Sequence, residues 1–196
     1  MNDRPRHGIA ALQLDDLLRR YPERAVRAVY SGLNSFISLG LMAMIAYTTS
    51  APFVFPSLGP TAFLLFYTPR NASASPHNTL IGHLIGVLAG WFALAVTGLL
   101  NTPPDLESIG PNRILASAIA LGLTCGLMPV FNAAHPPAGA TTLIVALGLL
   151  RTPPQLGIMM LAVLVIVIQG FVINRMAGIP YPLWSRPPTG DGRGST

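Results

Sequence analysis

The residues best suited to chemistry lie in one short stretch, 132–142, in the middle of an apolar chain. This stretch carries an imidazole at His135, an amide at Asn132, and hydroxyl groups at Thr141 and Thr142. A neutral imidazole offers one hydrogen-bond donor and one acceptor, and a protonated imidazole offers two donors and a positive charge. The group can therefore bind an anion or pass a proton. The alternative is a structural histidine that satisfies a carbonyl group freed by the prolines that follow it.

Two consecutive prolines interrupt any helix at this point. Pro136 and Pro137 cannot donate backbone hydrogen bonds, and His135 before them prefers an extended conformation. We expect the helix that begins after the prolines to leave its first N–H groups unpaired, and these groups attract anions together with the helix dipole. The predicted substrate-binding residues in this stretch are Asn132, His135, Gly139, Thr141 and Thr142, held by the structural prolines Pro136 and Pro137.

The composition places this stretch in a membrane. The chain has 196 residues, of which 51% are hydrophobic and 10% charged, whereas a soluble domain is about 25% charged. All seven acidic residues and all twelve cationic residues, which are arginines, lie outside the long apolar runs. A charge at the bilayer centre costs about 3 kcal/mol on insertion scales. We predict an integral membrane protein whose partner is the lipid bilayer and not a nucleic acid, since arginines at helix ends explain the net charge of +5.

Six apolar segments follow one another along the chain. The four long ones suffice to cross a hydrocarbon core of about 30 Å, and the two short ones, broken by proline and glycine, do not. The long segments are 30–49, 79–100, 114–131 and 155–173, and the short segments are 53–67 and 138–150. The predicted fold is an all-α integral membrane protein with four full transmembrane helices plus two short broken or re-entrant helices.

The sequence does not decide whether the two short segments cross the membrane or enter and leave it on the same side. If they cross the membrane, there are six spans and the two halves are inverted relative to each other. If they are re-entrant hairpins, there are four spans and the halves run parallel. Both arrangements place ten of the twelve arginines inside with both termini, as the excess of cationic residues on cytoplasmic loops requires.

The two halves of the chain resemble each other. Each has the order long, short, long, and 56–61 matches 136–141 as Pro-x-x-Gly-x-Thr, 80 residues apart. We therefore predict two internal repeats, an arrangement in which paired broken segments indicate the binding site of a transporter. Phe55 occupies the position that corresponds to His135. The first half adds the substrate-binding candidates Ser57, Gly59 and Thr61 and the structural prolines Pro56 and Pro60.

A second intramembrane histidine lies in the third segment. His83 comes one helical turn after Thr79, and it is either a substrate-binding residue or a structural hydrogen-bonding group. The same segment carries Gly82, Gly86 and Gly90, whose spacing of four predicts a face on which another helix packs closely. Association of copies of the chain is a further expectation, and this glycine face is the predicted contact.

The residues that metal binding, a catalytic triad or a phosphate-binding loop would require are missing from the sequence. There is no His-x-x-x-His pattern or cysteine pair for a metal, no acid within an apolar segment for a catalytic triad, and no lysine for a phosphate-binding loop. We therefore predict a protein that is not an enzyme, with no catalytic residues and no metal or other cofactor. The lone Cys125 is predicted to be a small buried hydrophobe, and Gln169 is predicted to hydrogen-bond to another helix.

The flanking regions complete the predicted organisation. Residues 1–29 form an Arg-rich cytoplasmic segment, 30–174 the membrane domain and 175–196 a flexible cytoplasmic tail. Leucines alternate with charges near residues 12–18, which indicates a short helix on the membrane surface or a solvated tail. No apolar core for a secretory signal is present in residues 1–29, and their acidic residues argue against a transit peptide.

Three stretches resemble a known family. Residues 134–140, Ala-His-Pro-Pro-Ala-Gly-Ala, resemble the motif that names the HPP family of integral membrane proteins, and residues 57–62 and 76–83 resemble its other recurring stretches. The resemblance covers roughly residues 25–178. It implies a small helical membrane domain, often described as four-spanning, and a transporter, with nitrite as the substrate of some plastid and cyanobacterial members. The Arg-rich, Lys-free composition and the missing transit peptide indicate a multi-pass protein of a bacterial inner (plasma) membrane.

The function predicted from these features is transport or channelling of a small inorganic anion, with nitrite as the best candidate. The apolar segments contain imidazole, hydroxyl and amide groups but no carboxylate, and cation carriers usually hold a carboxylate in the membrane. The alternative is a membrane scaffold subunit that binds a partner protein and transports nothing.

Overall fold

The computed structural model describes residues 13–185, and within that range it contains helices and no strands. The order of the elements follows the six predicted segments, with one additional helix before them and one 3-10 turn. The helices are α1 (Leu14–Arg20), α2 (Glu23–Thr49), α3 (Leu58–Tyr67), α4 (Pro76–Val96), α5 (Pro111–Val130), α6 (Ala138–Ala146) and α7 (Pro153–Met176), with the 3-10 turn Ala72–Ala74 between α3 and α4.

The four predicted long helices are confirmed. Helices α2, α4, α5 and α7 have 27, 21, 20 and 24 residues and are apolar enough to cross a membrane. Three of them begin with a proline at the first helical positions. An N–H group at this position has no acceptor within the helix, so proline costs no hydrogen bond there. Helix α2 begins at Glu23 and not at the predicted Tyr30, because Arg27 pairs with Glu23 one turn away at 2.7 Å and extends the helix.

The two short helices are also present, and each follows an extended connection. Helix α3 has 10 residues and α6 has 9. The helices before them end at residues in the left-handed conformation, Ser50 (φ 52°) after α2 and Asn132 (φ 48°) after α5. The chain is then extended until a turn that leads into the short helix. A left-handed residue stops the helix and frees the chain for this extended stretch.

Hydrogen bonds define one end of the bundle, which we call the terminal end. Tyr30 at the beginning of α2 donates to the Asn174 side chain near the end of α7 at 2.9 Å. Arg27 donates to the carbonyl oxygen of Tyr67, the last residue of α3, at 3.2 Å. The backbone N–H of His77 at the beginning of α4 donates to the carbonyl oxygen of Trp184 at 3.0 Å. The beginnings of α2 and α4 therefore lie beside the ends of α3 and α7.

The opposite end of the bundle is defined in the same way. Arg113 at the beginning of α5 donates to the carbonyl oxygen of Ala146, the last residue of α6, at 3.4 Å. Its other guanidinium nitrogen donates to two carbonyl groups of the loop after α4. Trp91, late in α4, donates to the carbonyl oxygen of Arg151 just before α7 at 3.2 Å. Helices α4 and α6 therefore end here, and α5 and α7 begin here.

These contacts show that the short segments pass through the bundle. Helix α2 carries the chain away from the terminal end, and the connection 50–57 with α3 returns it there. The connection 131–137 with α6 likewise carries the chain from the end of α5 to the opposite end. The alternative of re-entrant hairpins is therefore wrong for this bundle, because a hairpin would bring both of its ends to the same side.

The predicted glycine face of α4 is confirmed as a packing surface, and its partner is α6 and the connection before it. A Cβ atom added at each of these glycines would lie within 2.8 Å of a neighbouring atom. The closest neighbours are His135 Cβ for Gly82, the Ala138 carbonyl oxygen for Gly86 and Val145 Cβ for Gly90. Because the face is filled within the chain, it is not free for the contact between copies that the sequence suggested.

The two flanks fold back on the bundle within the described range. The predicted short helix is α1, and Asp15 on it pairs with Arg70 at 2.7 Å. Helix α7 extends to Met176, and Ile179 and Tyr181 beyond it are buried, so the first part of the predicted flexible tail is packed by its apolar side chains. The remainder of the predicted tail, 186–196, and residues 1–12 lie outside the described residues.

Two smaller predictions were wrong. Cys125 is exposed on the outer face of α5 and is not buried. The amide atoms of Gln169 are buried in α7, and within residues 13–185 they have no hydrogen-bond partner on another helix. In both cases the segment that holds the residue could be predicted, but the direction in which its helix presents the side chain could not.

The α4–α6 contact gives a stability prediction. Gly86→Ala should lower the free energy of unfolding by about 1–3 kcal/mol, because its Cβ would meet the Ala138 carbonyl oxygen and the Thr142 hydroxyl, both at 2.8 Å. Gly126→Ala is the matched control, since no atom lies within 4 Å of its added Cβ. Thermal unfolding in detergent measures both, and equal melting temperatures would contradict the packing described here.

Candidate functional site

One imidazole joins the two short helices. His83 Nε2 lies 3.0 Å from the hydroxyl oxygen of Thr61, and His83 Nδ1 lies 2.7 Å from the hydroxyl oxygen of Thr141. Thr61 is the fourth residue of α3, and Thr141 is the fourth residue of α6. The side chain of α4 therefore bridges equivalent positions of the two short helices.

The second imidazole, that of His135, contacts the same Thr61 hydroxyl group as His83 does. His135 Nε2 lies 3.2 Å from Thr61 Oγ1, and His135 Nδ1 lies 2.7 Å from the carbonyl oxygen of Ser73 in the 3-10 turn. The two imidazole rings are 5.0 Å apart between centroids and tilted by 53°. We call His83, His135, Thr61 and Thr141 the central cluster.

The central cluster is closed to solvent and deep in the bundle. All four side chains have a relative exposure of 0%. His83 follows the beginning of α4 by seven residues, which places it about 10 Å from the terminal end at about 1.5 Å per residue. Polar groups at such depth in a membrane protein are costly and generally serve a function.

Neighbouring groups fix the position of His135. Asn78 at the beginning of α4 donates to the carbonyl oxygen of Ala134 at 3.1 Å, which ties the extended connection to α4. Gly82 leaves space for the His135 side chain, since a Cβ there would lie 2.7 Å from His135 Cβ. A residue with any side chain at position 82 would displace the imidazole.

The beginning of α6 differs from the sequence expectation. Its first N–H groups are not unpaired, because the turn before the helix supplies acceptors for them. The N–H groups of Ala138, Gly139 and Ala140 donate to the carbonyl oxygens of His135, Pro136 and Pro137 at 3.0–3.1 Å. The expected anion site of free backbone N–H groups at this helix is therefore wrong, and side chains must supply any donors beyond the helix dipole.

The family described as "HPP, transmembrane region" matches residues 21–182. The chain belongs to this family. The match confirms the resemblance and includes both short helices and the whole central cluster of this HPP protein.

Two curated relatives are transmembrane proteins of Dictyostelium discoideum. One is 28% identical over 123 residues, which is 61% of this chain and 40% of the relative. The other is 29% identical over 119 residues, which is 59% of this chain and 35% of the relative. The matched regions therefore span less than half the length of these relatives. No solved structure matches the chain significantly.

Next to the cluster along the chain, two buried hydroxyl groups of the HPP protein lack a hydrogen-bond partner among the described residues. Ser57 precedes α3, and its carbonyl oxygen lies 2.9 Å from the Thr61 hydroxyl oxygen. Thr79 lies one turn before His83 on α4. Both side chains are 0% exposed, and neither hydroxyl oxygen makes a hydrogen bond with any described residue. Buried hydroxyl groups are normally satisfied, so these two, like the buried Ser38 hydroxyl group on α2, are exceptions within the described residues.

The remaining predicted site residues lie outside the cluster. Thr142 is buried, but it bonds to Thr124 of α5 at 2.8 Å and not to an imidazole. Asn132 is exposed and ends α5, so it is not beside His135 as the sequence suggested. Gly59 and Gly139 are partly exposed and allow no close approach to the cluster. The structural prolines divide into Pro137, which is buried, and Pro56, Pro60 and Pro136, which are exposed.

Sequence reasoning missed three contributors. Ser73 acts through its backbone carbonyl, for which the sequence carries no signal. The sequence weakly indicated Thr124 and Asn78, since each is an isolated polar residue within or at the beginning of an apolar helix. Their partners depend on how α5 and α4 are rotated, which composition alone does not give.

The electrostatic surroundings of the cluster contain no carboxylate. Within the described range the acidic residues are confined to the terminal end and to the loop between α4 and α5. They are Asp15, Asp16, Glu23, Asp105 and Glu107. In the same range no three His, Cys, Asp or Glu side chains come together as a metal site requires.

The bridge between the short helices gives a second prediction. His83→Ala should lower the free energy of unfolding by about 2 kcal/mol or more, because it leaves the buried Thr141 hydroxyl without its partner and opens a cavity. His77→Ala is the control, since His77 lies at the terminal end and packs edge-on against Trp184. Denaturant or thermal unfolding in detergent tests this, and equal losses for the two variants would contradict a central role of His83.

Proposed function

We propose that this HPP protein moves a small solute, preferentially a small inorganic anion, through the site between α3 and α6, and that nitrite is the first solute to test. The observation that carries the proposal is the meeting of two short helices at one buried imidazole, in a bundle whose four long helices suit a membrane. Broken helices that meet within the bilayer are the usual binding sites of secondary transporters.

Similarities between the two halves of the bundle support this proposal. Residues 53–59 and 133–139 share the same alternation of buried and exposed positions and the same turn into the short helix. Each short helix ends with a carbonyl group that accepts from an arginine of the helix before it, Arg27 for α3 and Arg113 for α6. Since α3 and α6 run in opposite directions through the bundle, we infer two inverted repeats of three helices with His83 between them.

The available donors favour an anion. The beginnings of α3 and α6 both point toward the cluster, so the positive ends of two helix dipoles converge there. The Ser57 and Thr79 hydroxyl groups add unpartnered donors, and no carboxylate competes with a bound anion. A neutral polar solute fits the same donors, whereas a cation lacks a counter-charge.

The distribution of arginines supports an orientation. In the described range six arginines lie near the terminal end and two, Arg113 and Arg151, near the opposite end. Cationic residues accumulate on the cytoplasmic side, so we propose that both termini face the cytoplasm, in the plasma membrane of a bacterium. We propose a carrier and not an enzyme, since none of the carboxylates in the described range lies in the cluster, and we propose that several copies of the chain associate.

A second candidate is a scaffold subunit that holds a partner protein. The observation in its favour is that the cluster is fully buried and that the first N–H groups of α6 are already satisfied. A closed, self-satisfied interior suits a structural role. The meeting of two short helices at one buried imidazole favours the transporter over the scaffold.

Reconstitution tests the proposed function. Purified protein in liposomes should let nitrite pass, and Ser57→Ala should slow it about fivefold to tenfold, the effect of one hydrogen bond to the solute. Ser57→Ala should leave the melting temperature unchanged, because its hydroxyl group makes no bond in the protein. His135→Ala should also reduce the flux.

The matched control is Ser38→Ala. Ser38 is another fully buried serine without a partner, but it lies on α2 and makes no bond to the cluster. Its variant should transport nitrite like the original protein. Equal flux in the Ser57 and Ser38 variants would remove Ser57 from the site, and no flux for a panel of small anions would favour the scaffold.

A further inference from the structure

The hydrogen bonds of His135 fix which of its nitrogens carries the proton. The carbonyl oxygen of Ser73 can only accept, so His135 Nδ1, 2.7 Å away, must donate to it. In a neutral imidazole the other nitrogen, Nε2, is then an acceptor. Within the described residues the one hydrogen-bond partner of Nε2 is the Thr61 hydroxyl group at 3.2 Å.

The Thr61 hydroxyl group has one proton and three neighbours. His135 Nε2 requires it as a donor, while His83 Nε2 lies 3.0 Å and the Ser57 carbonyl oxygen 2.9 Å from the same oxygen. If Thr61 donates to His135, it must accept from His83 Nε2. His83 Nδ1 then carries no proton, and it accepts a hydrogen bond from the Thr141 hydroxyl group at 2.7 Å.

This assignment is the one neutral arrangement in which both imidazoles are satisfied. The bonds run in one direction from Thr141 through His83 and Thr61 to His135 and the Ser73 carbonyl group. The opposite tautomer of His83 would also need the Thr61 proton, and His135 Nε2 would lose its donor. The Ser57 carbonyl oxygen accepts the backbone N–H of Thr61 at 3.4 Å and keeps a second, unused lone pair within reach of the Thr61 hydroxyl group.

The unused acceptor allows a second state without movement of any heavy atom. When a proton binds to His135 Nε2, that nitrogen donates to Thr61 Oγ1, and the Thr61 hydroxyl hydrogen rotates to the Ser57 carbonyl oxygen. His83 keeps both of its bonds. The cluster thus accommodates one additional proton with every hydrogen bond made, and it returns to the neutral arrangement when that proton leaves.

We propose that the coupling ion of this transporter is the proton, carried by His135 and permitted by the Thr61 hydroxyl group, one proton with each monovalent anion. This proposal rests on the proposed function of anion transport. A protonated His135 supplies the counter-charge that the cluster otherwise lacks, and the pair of proton and anion crosses without net charge. Proton uptake and release at His135 form and break one N–H bond, with water as the donor on one side and the acceptor on the other.

No other charged group of the described residues competes for this role. The elements around His135 carry their remaining titratable side chains near the rims of the bundle or on its outer face. These are Tyr67 at the end of α3, Arg70 in the following connection, His77 at the beginning of α4, Arg113 and Cys125 on α5, and Arg175 at the end of α7. The buried phenol of Tyr181 is a further titratable group, and it donates to the carbonyl oxygen of Ala74 in the 3-10 turn. The group that faces His135 directly is His83, whose two nitrogens are both engaged by threonines.

The transport test uses the full-length protein in liposomes that contain a pH-sensitive dye. An inward acid gradient should accelerate nitrite uptake, nitrite should carry protons inward in a ratio of one, and an imposed membrane potential should not change the rate. Protein-free liposomes give the passive entry of nitrous acid, which is subtracted. Nitrite flux without proton movement would overturn the coupling alone, and absence of any anion flux would overturn the proposed function and the coupling with it.

Variants of Thr61 separate coupling from folding. Thr61→Val keeps the shape of the side chain but removes the hydroxyl group, and it should abolish the acceleration by acid. Thr61→Ser should restore the acceleration, while Ser38→Ala should respond to acid like the original protein. Acid acceleration that survives in Thr61→Val, with a melting temperature close to the original, would overturn the role of Thr61.

The tautomers can be measured without transport. Nitrogen-15 NMR of histidine-labelled protein in bilayers at neutral pH should show His135 protonated at Nδ1 and His83 protonated at Nε2. Acidification should protonate His135 before His83. The reverse tautomer at either residue, or earlier protonation of His83, would overturn the proposal independently of any flux.

Discussion

The contact on which this bundle depends is the pair of hydrogen bonds made by His83. One rigid ring satisfies hydroxyl groups on two short helices that come from different halves of the chain. Neither short helix is long enough to cross a membrane by itself, so each needs a partner at its inner end. The glycines of α4 bring that helix close enough to α6 for the bond to form, and Asn78 holds the connection that carries His135.

The bilayer explains why these polar groups are so few and so completely engaged. Interhelical packing in lipid depends on close contact and on hydrogen bonds, because apolar side chains gain little by leaving lipid for protein. The cluster places its donors and acceptors where they satisfy one another. Among the described residues the hydroxyl groups of Ser57, Thr79 and Ser38 and the amide of Gln169 are buried without a partner. What distinguishes the candidate site from the rest of the interior is therefore the meeting of polar side chains from α3, α4 and α6 at one buried point.

Much of this arrangement could be predicted from the sequence, because the bilayer imposes simple rules on length and charge. The four long helices, the two short ones and the close approach along the glycines of α4 follow from segment length and residue spacing. His83, His135, Thr61 and Thr141 were all predicted, but their convergence required knowing which face each helix turns inward. The prediction that Asn132 lies beside His135 was wrong for this reason. The prediction of unpaired N–H groups at the beginning of α6 was wrong because the carbonyl groups of the turn accept their hydrogen bonds.

The arginines at the outer ends of the short helices have a consequence for the field inside the bundle. Arg27 and Arg113 each place a cation against the last carbonyl groups of a short helix, where the negative end of its dipole lies. Each dipole is thereby compensated at the rim, whereas at the inner end of each short helix N–H groups donate to carbonyl groups of the turn before it. The cationic charge of the two arginines consequently stays at the rims of the bundle, and it does not depend on the state of either imidazole.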